Sequence, residues 1–383
     1  MSSIYFDHAA TTPMHPDAVQ AYVEAASAGP GNASSLHAQG RSARSRVTAA
    51  RDALARALGC DASELVFTSG GTESDNAALF GAAWAQRNGS GKLGIVTTAV
   101  EHHAVLHACE QLERQGFRLT VLPVDEQGRV SVNAAKTAID ETTAVVSVMA
   151  GNNETGTLQP IAEIGEWARK HKAIMHVDAV QAFGYSPIVL RDMPVDLLSL
   201  SAHKINGPQG VGLLYVRRGT PFQPLLHGGS QERKRRAGTE NVAGIVAFAV
   251  AAEIATANRQ ARAERAASIR DAFLGALSRR IGRDPIVVNG EGAERLPHVL
   301  NVSFPGVRAE TMLMNLDLQG VSASGGSACT SGSLQPSHVL QAMGLSPEIV
   351  ASAVRFSFGL GNTSEEAEKA AEITATIWAR LRN

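Results

Sequence analysis

Short apolar runs alternate with longer mixed stretches between about residues 45 and 250 of this 383-residue chain. The mixed stretches predict helices, as in the Ala/Arg/Leu-rich segment from Val47 to Leu58, and the apolar runs predict strands. The runs are ELVFTSG, KLGIVTTAV, FRLTVLPV, TAVVSVMAGNN, AIMHVDAVQ, DLLSLSAHK and VGLLYVRRG. Because apolar strands that alternate with helices form a mostly parallel sheet covered on both faces, this part of the chain predicts an α/β fold.

The pattern changes after Glu253. An Ala/Arg-rich stretch from Glu253 to Ile281 predicts one long helix, and the strands PIVVNG, HVLNVSFPG and SAVRFSFG and a C-terminal helix follow it. A chain of this length also exceeds one ordinary core. We therefore predict a large domain over residues 14–255. Residues 1–13 and 256–383 would form a smaller α+β domain, hinged on the long helix.

Composition narrows the range of partners. The formal net charge is −1, which gives no support for a nucleic-acid or anionic-membrane partner. The longest apolar run, from Val242 to Ala252, is too short to span a bilayer, and the N-terminus lacks a secretory signal. The three cysteines are an odd number without CxxC spacing, which argues for a reducing compartment. We expect a cytoplasmic protein that binds neither nucleic acid nor a membrane.

The segment SGGSACTSG, residues 324–332, places Cys329 among glycines, serines and one alanine. A cysteine is usually a small core hydrophobe, but this one has no apolar neighbours in sequence to pack against. It is therefore either an incidental loop residue or a nucleophile on a mobile segment.

Two polar residues follow predicted strands directly, at the sheet edge where open α/β folds bind ligands. Lys204, in SAHK, is either an ordinary loop lysine or, if partly desolvated, a nucleophile for Schiff-base chemistry. Asp178, in HVDAVQ, either caps the next helix or provides the anionic partner of a pyridinium nitrogen.

Two further motifs lie at strand ends. In TSGGTESDN, two glycines and Thr72 open a helix, which forms either a plain turn with a threonine N-cap or an anion site for a phosphate. In EHHAVLHAC, His102 is either a satisfied histidine at a helix start or a ring that stacks on a flat cofactor. His103 and His107 share a helix face, but without a third ligand they do not predict a metal site.

Two more residues suit a carboxylate ligand. Asn153, in GNNETG, either belongs to a turn or donates to a substrate carboxylate or a ring oxygen. Arg355, the only charge in an apolar strand pattern, either snorkels from an edge strand or clamps a carboxylate. The basic run QERKRRAGTEN, residues 231–241, is interpreted as a solvated loop because the whole chain is nearly neutral. A lysine, a strand-end aspartate, a phosphate-type turn and a ring-stacking histidine together fit pyridoxal 5'-phosphate.

The sequence resembles the cysteine desulfurases of the NifS/IscS group, which are fold-type I pyridoxal-phosphate enzymes of the class V aminotransferase family. The resemblance runs from YFDHAATTP to the C-terminal helix. It is carried by TSGGTESDN, EHHAVL, NNETGTLQPI, HVDAVQ, SAHKINGPQGVG, RAGTEN, SGGSACTSGSLQPSHVL and VRFSFG. Within the group, NNETGTLQPI, RRGTPFQPLLHGG and SACTSGSLQPSHVL look closest to the nitrogen-fixation type. The resemblance implies a seven-stranded sheet in the large domain.

The resemblance also implies roles for individual residues. Lys204 would carry the cofactor as a Schiff base and move the Cα proton, and Cys329 would attack the sulfur of bound cysteine to give a persulfide and alanine. His102 would stack on the ring and accept the proton of the thiol. The cofactor-binding residues would be Lys204, Gly71, Thr72, His102, Asp178, Gln181, Ser201 and His203, with Thr239 reaching the phosphate of the other subunit of a homodimer. Asn153 and Arg355 would bind the substrate carboxylate.

The resemblance further implies that the sulfur passes to an iron–sulfur scaffold or another acceptor protein. Cys329 would then be a transient iron–sulfur ligand, with no dedicated metal site. A selenocysteine lyase or an aminotransferase on the same fold is an alternative, although an aminotransferase does not need Cys329. A non-catalytic sulfur-handling protein is an alternative of another class, but it would need neither Lys204 nor Asp178.

Overall fold

The computed structural model describes residues 3–326 and 336–382, and Cys329 lies outside the described residues. The strands are β1 (Ile4–Tyr5), β2 (Leu65–Thr68), β3 (Gly94–Thr98), β4 (Arg118–Leu122), β5 (Thr143–Ser147), β6 (Ile174–Asp178), β7 (Leu197–Ser201), β8 (Gly212–Val216), β9 (Val287–Val288), β10 (Val299–Ser303), β11 (Val321–Ser322) and β12 (Ala353–Ser357). The helices are α1 (Pro16–Ser27), α2 (Ala38–Leu58), α3 (Gly71–Ser90), α4 (His103–Arg114), α5 (Val132–Ala138), α6 (Ile161–Lys170), α7 (Val242–Ala257), α8 (Arg259–Ile281), α9 (Ala309–Leu318), α10 (His338–Ala342), α11 (Pro347–Ala351) and α12 (Ser364–Arg382).

Seven strands form the main sheet, in the order β2-β8-β7-β6-β5-β3-β4. All neighbours are parallel except β8, which runs antiparallel to both β2 and β7. Every residue of β5, β6, β7 and β8 is buried, as expected for strands that helices cover on both faces. The predicted α/β fold with a mostly parallel sheet is confirmed.

A second core lies beside the sheet domain. In it, β10 pairs antiparallel with β9 and β12, and β1 pairs parallel with β11. Its buried apolar residues include Phe6 from the N-terminal segment together with Phe273, Phe304 and Phe356. This cluster supports the small domain that we propose for residues 1–13 and 256–383.

The predicted single helix from Glu253 to Ile281 is wrong. Helix α7 continues to Ala257, the helix is interrupted at Asn258, and the axis of α8 makes an angle of 76° with that of α7. The backbone N–H and the side-chain Nδ2 of Asn258 both donate to the carbonyl of Ile254, which closes the last turn of α7. Helix α7 packs against α1 and α2, whereas α8 packs against α12. Because of this interruption, α7 packs in the core of the sheet domain and α8, which follows it directly, packs in the second core.

Among the described residues, no single helix has the length and apolar composition to cross a membrane, and only the bent pair α7–α8 meets that test jointly.

Candidate active site

A pocket of about 240 Å³ lies at the carboxyl ends of the parallel strands. All the site residues predicted in the described part of the chain line it, with the exception of Thr239. The lining residues are Ala9, Ala10, Gly71, Thr72, Asp75, His102, His103, Met149, Gly151, Asn153, Glu154, Asp178, Val180, Gln181, Ser201, His203, Lys204, Gly326, His338 and Arg355. Parallel strands end at the same edge of a sheet, which brings residues distant in sequence together.

Lys204 lies in a short 3₁₀ turn directly after β7. Its Nζ donates to the carbonyl oxygens of Ala9 and Ala10, at 2.5 and 2.7 Å. The N-terminal segment is in turn held by Gln181, whose Nε2 donates to the carbonyl of Ala9 at 2.8 Å. The lysine is therefore a pocket residue with a defined position, and its role as a Schiff-base nucleophile stays a prediction.

Asp178, the last residue of β6, is buried at the floor of the pocket. Its Oδ1 accepts the N–H of Val180 at 2.9 Å, so it caps the following turn and also lines the pocket. Burial raises the pKa of Asp178 to about 6, although the Val180 hydrogen bond and the charge of Lys204 oppose the shift. A buried carboxyl of this kind is stabilised by a cation placed against it.

Asp75 is a second buried carboxyl in the pocket, and sequence reasoning missed it. It lies in the first turns of α3, within the quoted motif TSGGTESDN. Burial and the neighbouring Asp178 raise the pKa of Asp75 well above its usual range. Its Oδ1 lies 3.6 Å from Nε2 of His176, a buried ring whose pKa is lowered to about 3 by burial. Two buried carboxyls therefore line the pocket, and a neutral imidazole lies next to one of them.

The glycine turn between β2 and α3 has the features of an anion site. Gly70 occupies the N-cap position, so Thr72 lies within the first turn and is not the N-cap that the plain-turn alternative required. A Cβ at Gly71 would lie 2.9 Å from Cγ2 of Val180, so a larger residue would displace that side chain. The first N–H groups of this twenty-residue helix lie at the pocket wall together with Ser201 and His203.

His102 is the N-cap of α4 and also lines the pocket. Its Nδ1 accepts the N–H of Ala104 at 3.1 Å. Burial, helped by the charge of Lys204, lowers the pKa of His102 to about 4, so the ring is neutral near pH 7. Because Nδ1 is an acceptor, the proton of the neutral ring lies on Nε2. This arrangement suits a stacking ring, whereas the expected role as a proton acceptor requires the other tautomer.

Arg355, on β12, is only 1% exposed, which excludes the snorkelling alternative. Its Nη2 forms an ion pair with Oδ1 of Asp7 at 2.9 Å. Its Nη1 donates to the carbonyls of Asn153 and Gly326, both at 3.0 Å, and its Nε has no hydrogen-bond partner in the described part of the chain. The guanidinium thus lies next to Asn153, as the predicted carboxylate clamp requires, but the clamp itself stays a prediction. Asp7 is a partner that the sequence did not suggest.

Thr239 does not line the pocket of its own chain and is exposed in the loop before α7. The interpretation of residues 231–241 as a solvated loop holds for the exposed Arg233 and Lys234 but is wrong for Glu232 and Arg236. Glu232 is buried and forms a two-pronged ion pair with Arg51, at 2.8 and 2.7 Å, and Arg236 pairs similarly with Glu73 at the start of α3. These pairs fasten the loop to the large sheet domain.

Several lining residues were not predicted. Glu154 directly follows Asn153 in GNNETG, and burial raises its pKa although Ser337 donates to it. His338 comes from a distant helix and has its ring 4.5 Å from that of His103, a proximity that no local sequence signal indicates. Within residues 3–326 and 336–382, no group of three or more histidine, cysteine or acidic side chains could hold a metal ion.

The comparisons with known proteins agree with this geometry. The model of the aminotransferase class-V family matches residues 4–369. The chain belongs to this family. It is 49% identical, over the full length of both chains, to a protein named putative cysteine desulfurase IscS 1 from Bacillus subtilis. It is 45% identical to a cysteine desulfurase IscS from Methanosarcina thermophila, over 100% of this chain and 93% of that one.

Solved structures of similar proteins have the same architecture. A NifS-like protein superposes with a TM-score of 0.92 at 36% identity, over 99% of this chain and all of that one. A structure described as SspA in complex with cysteine superposes with a TM-score of 0.81 at 33% identity, over 93% of this chain and 99% of that one. The predicted fold-type I architecture and the resemblance to the NifS/IscS group are confirmed.

Proposed function

We propose that the protein is a cysteine desulfurase that uses pyridoxal 5'-phosphate to convert L-cysteine to L-alanine and leaves the sulfur as a persulfide on Cys329. The observation that carries the proposal is the meeting of Lys204, Asp178 and His102 in one pocket. It is supported by a full-length relative, 49% identical, that is named as a putative cysteine desulfurase.

The residues of the pocket fit pyridoxal phosphate. Asp178 is a buried carboxyl that would pair with the cationic ring nitrogen, and the first turn of α3 would receive the phosphate at Gly71 and Thr72. The amine of Lys204 would bind the aldehyde carbon, and Gln181 would donate to the ring hydroxyl. When bound, the cofactor withdraws electrons from the substrate Cα and weakens the bonds to it.

Each remaining step is assigned to a residue of the chain. Arg355 and Asn153 would orient the substrate carboxylate, with the Nε of Arg355 as a donor that is not already committed to Asp7 or a carbonyl. Nζ of Lys204 would take the Cα proton after the substrate amine has displaced it. The carbonyls of Ala9 and Ala10, which already accept from Nζ, would keep the protonated amine in place.

The sulfur-transfer step is proposed for Cys329, which lies outside the described residues. Its thiolate would attack the sulfur of the bound cysteine, forming the S–S bond while the C–S bond breaks. The electron pair of the broken bond would stay with Cβ of the substrate, which takes up a proton, and Nζ of Lys204 would return the proton to Cα to complete alanine. Cysteine attacks as a thiolate, so this step also requires loss of the thiol proton.

We propose a homodimer in which Thr239, exposed in this chain, reaches the phosphate site of the partner subunit. We further propose a cytoplasmic enzyme whose persulfide sulfur passes to an acceptor protein for iron–sulfur cluster assembly. The name IscS of the relatives supports that use, and the motifs of the nitrogen-fixation type support a role with nitrogenase clusters.

Alanine production from cysteine tests the proposed function. We expect wild-type protein to release alanine and, with a reductant, sulfide, and Cys329→Ser to lose at least about a hundredfold in rate. Cys60→Ser is the matched control, because burial raises the pKa of that thiol to about 12 and makes it a poor nucleophile. A Cys329→Ser variant with near wild-type turnover would overturn the persulfide mechanism.

The visible absorption of the purified protein tests the cofactor assignment separately. We expect a yellow protein that loses the absorption of its lysine-bound cofactor in Lys204→Ala and keeps it in Cys329→Ser. A wild-type protein that does not absorb in the visible after incubation with pyridoxal phosphate would contradict the assignment.

A further inference from the structure

A second cavity, of about 250 Å³, lies at the bend between α7 and α8. Helix α7 contributes Ala251 and Ile254 to its wall, and α8 contributes Ala261 and Arg262. Within the described residues, it shares no lining residue with the candidate active site. The cavity is therefore a separate site, at the place where the large sheet domain and the second core meet.

The described side chains that line this cavity include positive charges and no negative ones. Arg262 and Arg265 line it, and its described lining contains no aspartate or glutamate. Arg262 donates from Nη1 to Oδ1 of Asn206 at 2.6 Å, and its guanidinium lies 4.6 Å from the centre of the Tyr185 ring. Neither contact neutralises the charge, and no ion pair involves Arg262 in the described part of the chain. A guanidinium so placed favours an anion nearby.

Polar atoms without a hydrogen-bond partner are a second feature of this cavity. Nε and Nη2 of Arg262 and Oη of Tyr185 are buried without a hydrogen-bond partner in the described chain. Buried polar atoms without a partner are uncommon in native proteins, and each one calls for a missing water, ion or ligand. Three such atoms lie on two neighbouring residues that line the cavity, so these side chains have hydrogen-bonding capacity that the described chain leaves unused.

The rest of the wall is apolar. Ile205, Ile254 and Leu360 line it together with alanines of both helices. Small-molecule sites combine apolar walls with a few polar groups and usually measure about 300–1,000 Å³, so this cavity suits a compact ligand. A bare inorganic anion would leave the apolar wall exposed to water, and a neutral apolar molecule would leave the guanidinium without a counter-charge.

We propose that this cavity is a binding site for a small amphipathic carboxylate. Its carboxylate accepts hydrogen bonds from Arg262, and its apolar body packs against Ile205 and Ile254. The site goes beyond the proposed desulfurase function and does not depend on it. Its wall begins at the residue after Lys204, because both Ile205 and Asn206 line the cavity. Asn206 also donates from Nδ2 to the carbonyl of Pro13.

Isothermal titration calorimetry of the full-length protein, loaded with pyridoxal phosphate, tests the proposal with octanoate as the probe. We expect one octanoate per chain, bound at least about tenfold more tightly than acetate or octan-1-ol. Acetate lacks the apolar chain that would pack against the wall, and octan-1-ol lacks the carboxylate that would bind Arg262. Inorganic phosphate should bind no better than acetate. Octan-1-ol binding as tightly as octanoate, phosphate binding more tightly, or no octanoate binding at all would overturn the proposal.

Two variants test the site by different routes. Arg262→Met removes the charge and should weaken octanoate binding at least about tenfold, the loss expected for a charge-assisted hydrogen bond. Ala261→Trp, at an exposed position on the rim, fills the cavity and should abolish binding while Arg262 is retained. Arg259→Met removes an equal charge one turn earlier on α8, outside the cavity, and should leave the affinity unchanged.

Unchanged octanoate affinity in both Arg262→Met and Ala261→Trp would place the binding elsewhere and reject the site. The measurement is independent of turnover, so its failure is distinguishable from failure of the desulfurase assignment. Circular dichroism of each variant confirms that a loss of binding does not arise from unfolding.

Discussion

At the scale of single residues, burial shifts the pKa values of acids and of histidines in and beside the candidate site in opposite directions. The pKa of Asp178 rises to about 6 and that of Glu101 to about 8, while the pKa of His102 falls to about 4. The common cause is that a low-dielectric interior disfavours the charged form of any group. Near pH 7 the ring of His102 is therefore neutral, whereas Asp178 is mostly ionised and is the carboxylate that the cationic ring of the proposed cofactor would stabilise.

Asp178→Asn tests the partner of that cofactor. Removing one member of a buried ion pair costs about 3–5 kcal/mol, so we expect the affinity for pyridoxal phosphate to fall by at least about two orders of magnitude. Absorbance titration of the apoprotein measures it. Asp192→Asn, at an exposed position, should bind the cofactor like wild type. An equal affinity in Asp178→Asn would remove that residue from the cofactor site.

Glu101→Gln tests the electrostatics of burial. Glu101 is fully buried and accepts from the hydroxyl of Thr98 and the N–H of Met149. Because its folded pKa is raised to about 8 from 4.5, its stabilising contribution is present below pH 4.5 and is lost as the pH rises through 8. Relative to wild type, Glu101→Gln should therefore gain about 2 kcal/mol in unfolding free energy between pH 6 and pH 8.

Urea unfolding of both proteins at the two pH values measures that difference. The exposed Glu113→Gln should show a gap to wild type that does not change with pH. A pH-independent gap for Glu101→Gln as well would mean that Glu101 is ionised throughout.

At the scale of elements, the loop before α7 is held by buried charge rather than by apolar packing. Glu232, Arg233 and Lys234 all have positive φ, between 44° and 65°, a costly conformation for residues other than glycine. Arg51 of α2 pairs with Glu232, whose Oε2 also accepts the N–H of Phe67. The ion pair thus holds a strained turn against β2, the strand that leads into the glycine turn of the candidate anion site.

Glu232→Gln should therefore be strongly destabilising. Breaking a buried pair leaves Arg51 uncompensated, and we expect a loss of about 3–5 kcal/mol in unfolding free energy. Glu253→Gln is the matched control, because Glu253 of α7 pairs with Arg56, which like Arg51 lies on α2, but both side chains of this pair are exposed. This substitution should cost less than about 1 kcal/mol. Chemical denaturation of the three proteins makes the comparison, and equal losses would contradict it.

At the scale of the whole molecule, the single chain leaves apolar side chains in water. Val19 and Val23 of α1 are 43% and 52% exposed, and Leu36 is 82% exposed. Val19 and Val23 lie one turn apart on the same side of α1, and apolar side chains that cluster on a surface mark interfaces between proteins. Together with exposed Thr239, they support the proposed homodimer.

We expect sedimentation equilibrium to give a mass of twice the 40.2 kDa of one chain. Thr239→Ala should keep that mass and bind pyridoxal phosphate about tenfold more weakly, because it loses one hydrogen bond to a charged group. Thr376→Ala, at an exposed position on α12, should match wild type in both respects. A monomeric wild-type protein, or an unchanged cofactor affinity in Thr239→Ala, would contradict the proposed role of Thr239.

Local signals in the sequence were sufficient for the sheet domain and for most of the pocket. The spacing of apolar residues and the composition predict each strand of the main sheet. Because the carboxyl ends of parallel strands lie at one edge, Lys204 and Asp178 could be placed near each other from the sequence alone. Membership of the family and the cofactor also followed from motifs along the chain. These features depend on residues that are close in sequence, which is why they could be predicted.

Only the tertiary structure decided the features that depend on distant contacts. The interruption at Asn258 arises because the two halves of one continuous helical pattern pack in two different cores. Helix propensity depends on neighbouring residues alone and therefore does not predict it. The Asp7–Arg355 and Arg51–Glu232 pairs join residues more than 150 positions apart, so neither partner predicts the other. Protonation states were likewise undecided, because the pKa of Asp178 or His102 depends on how completely the folded chain removes water from each group.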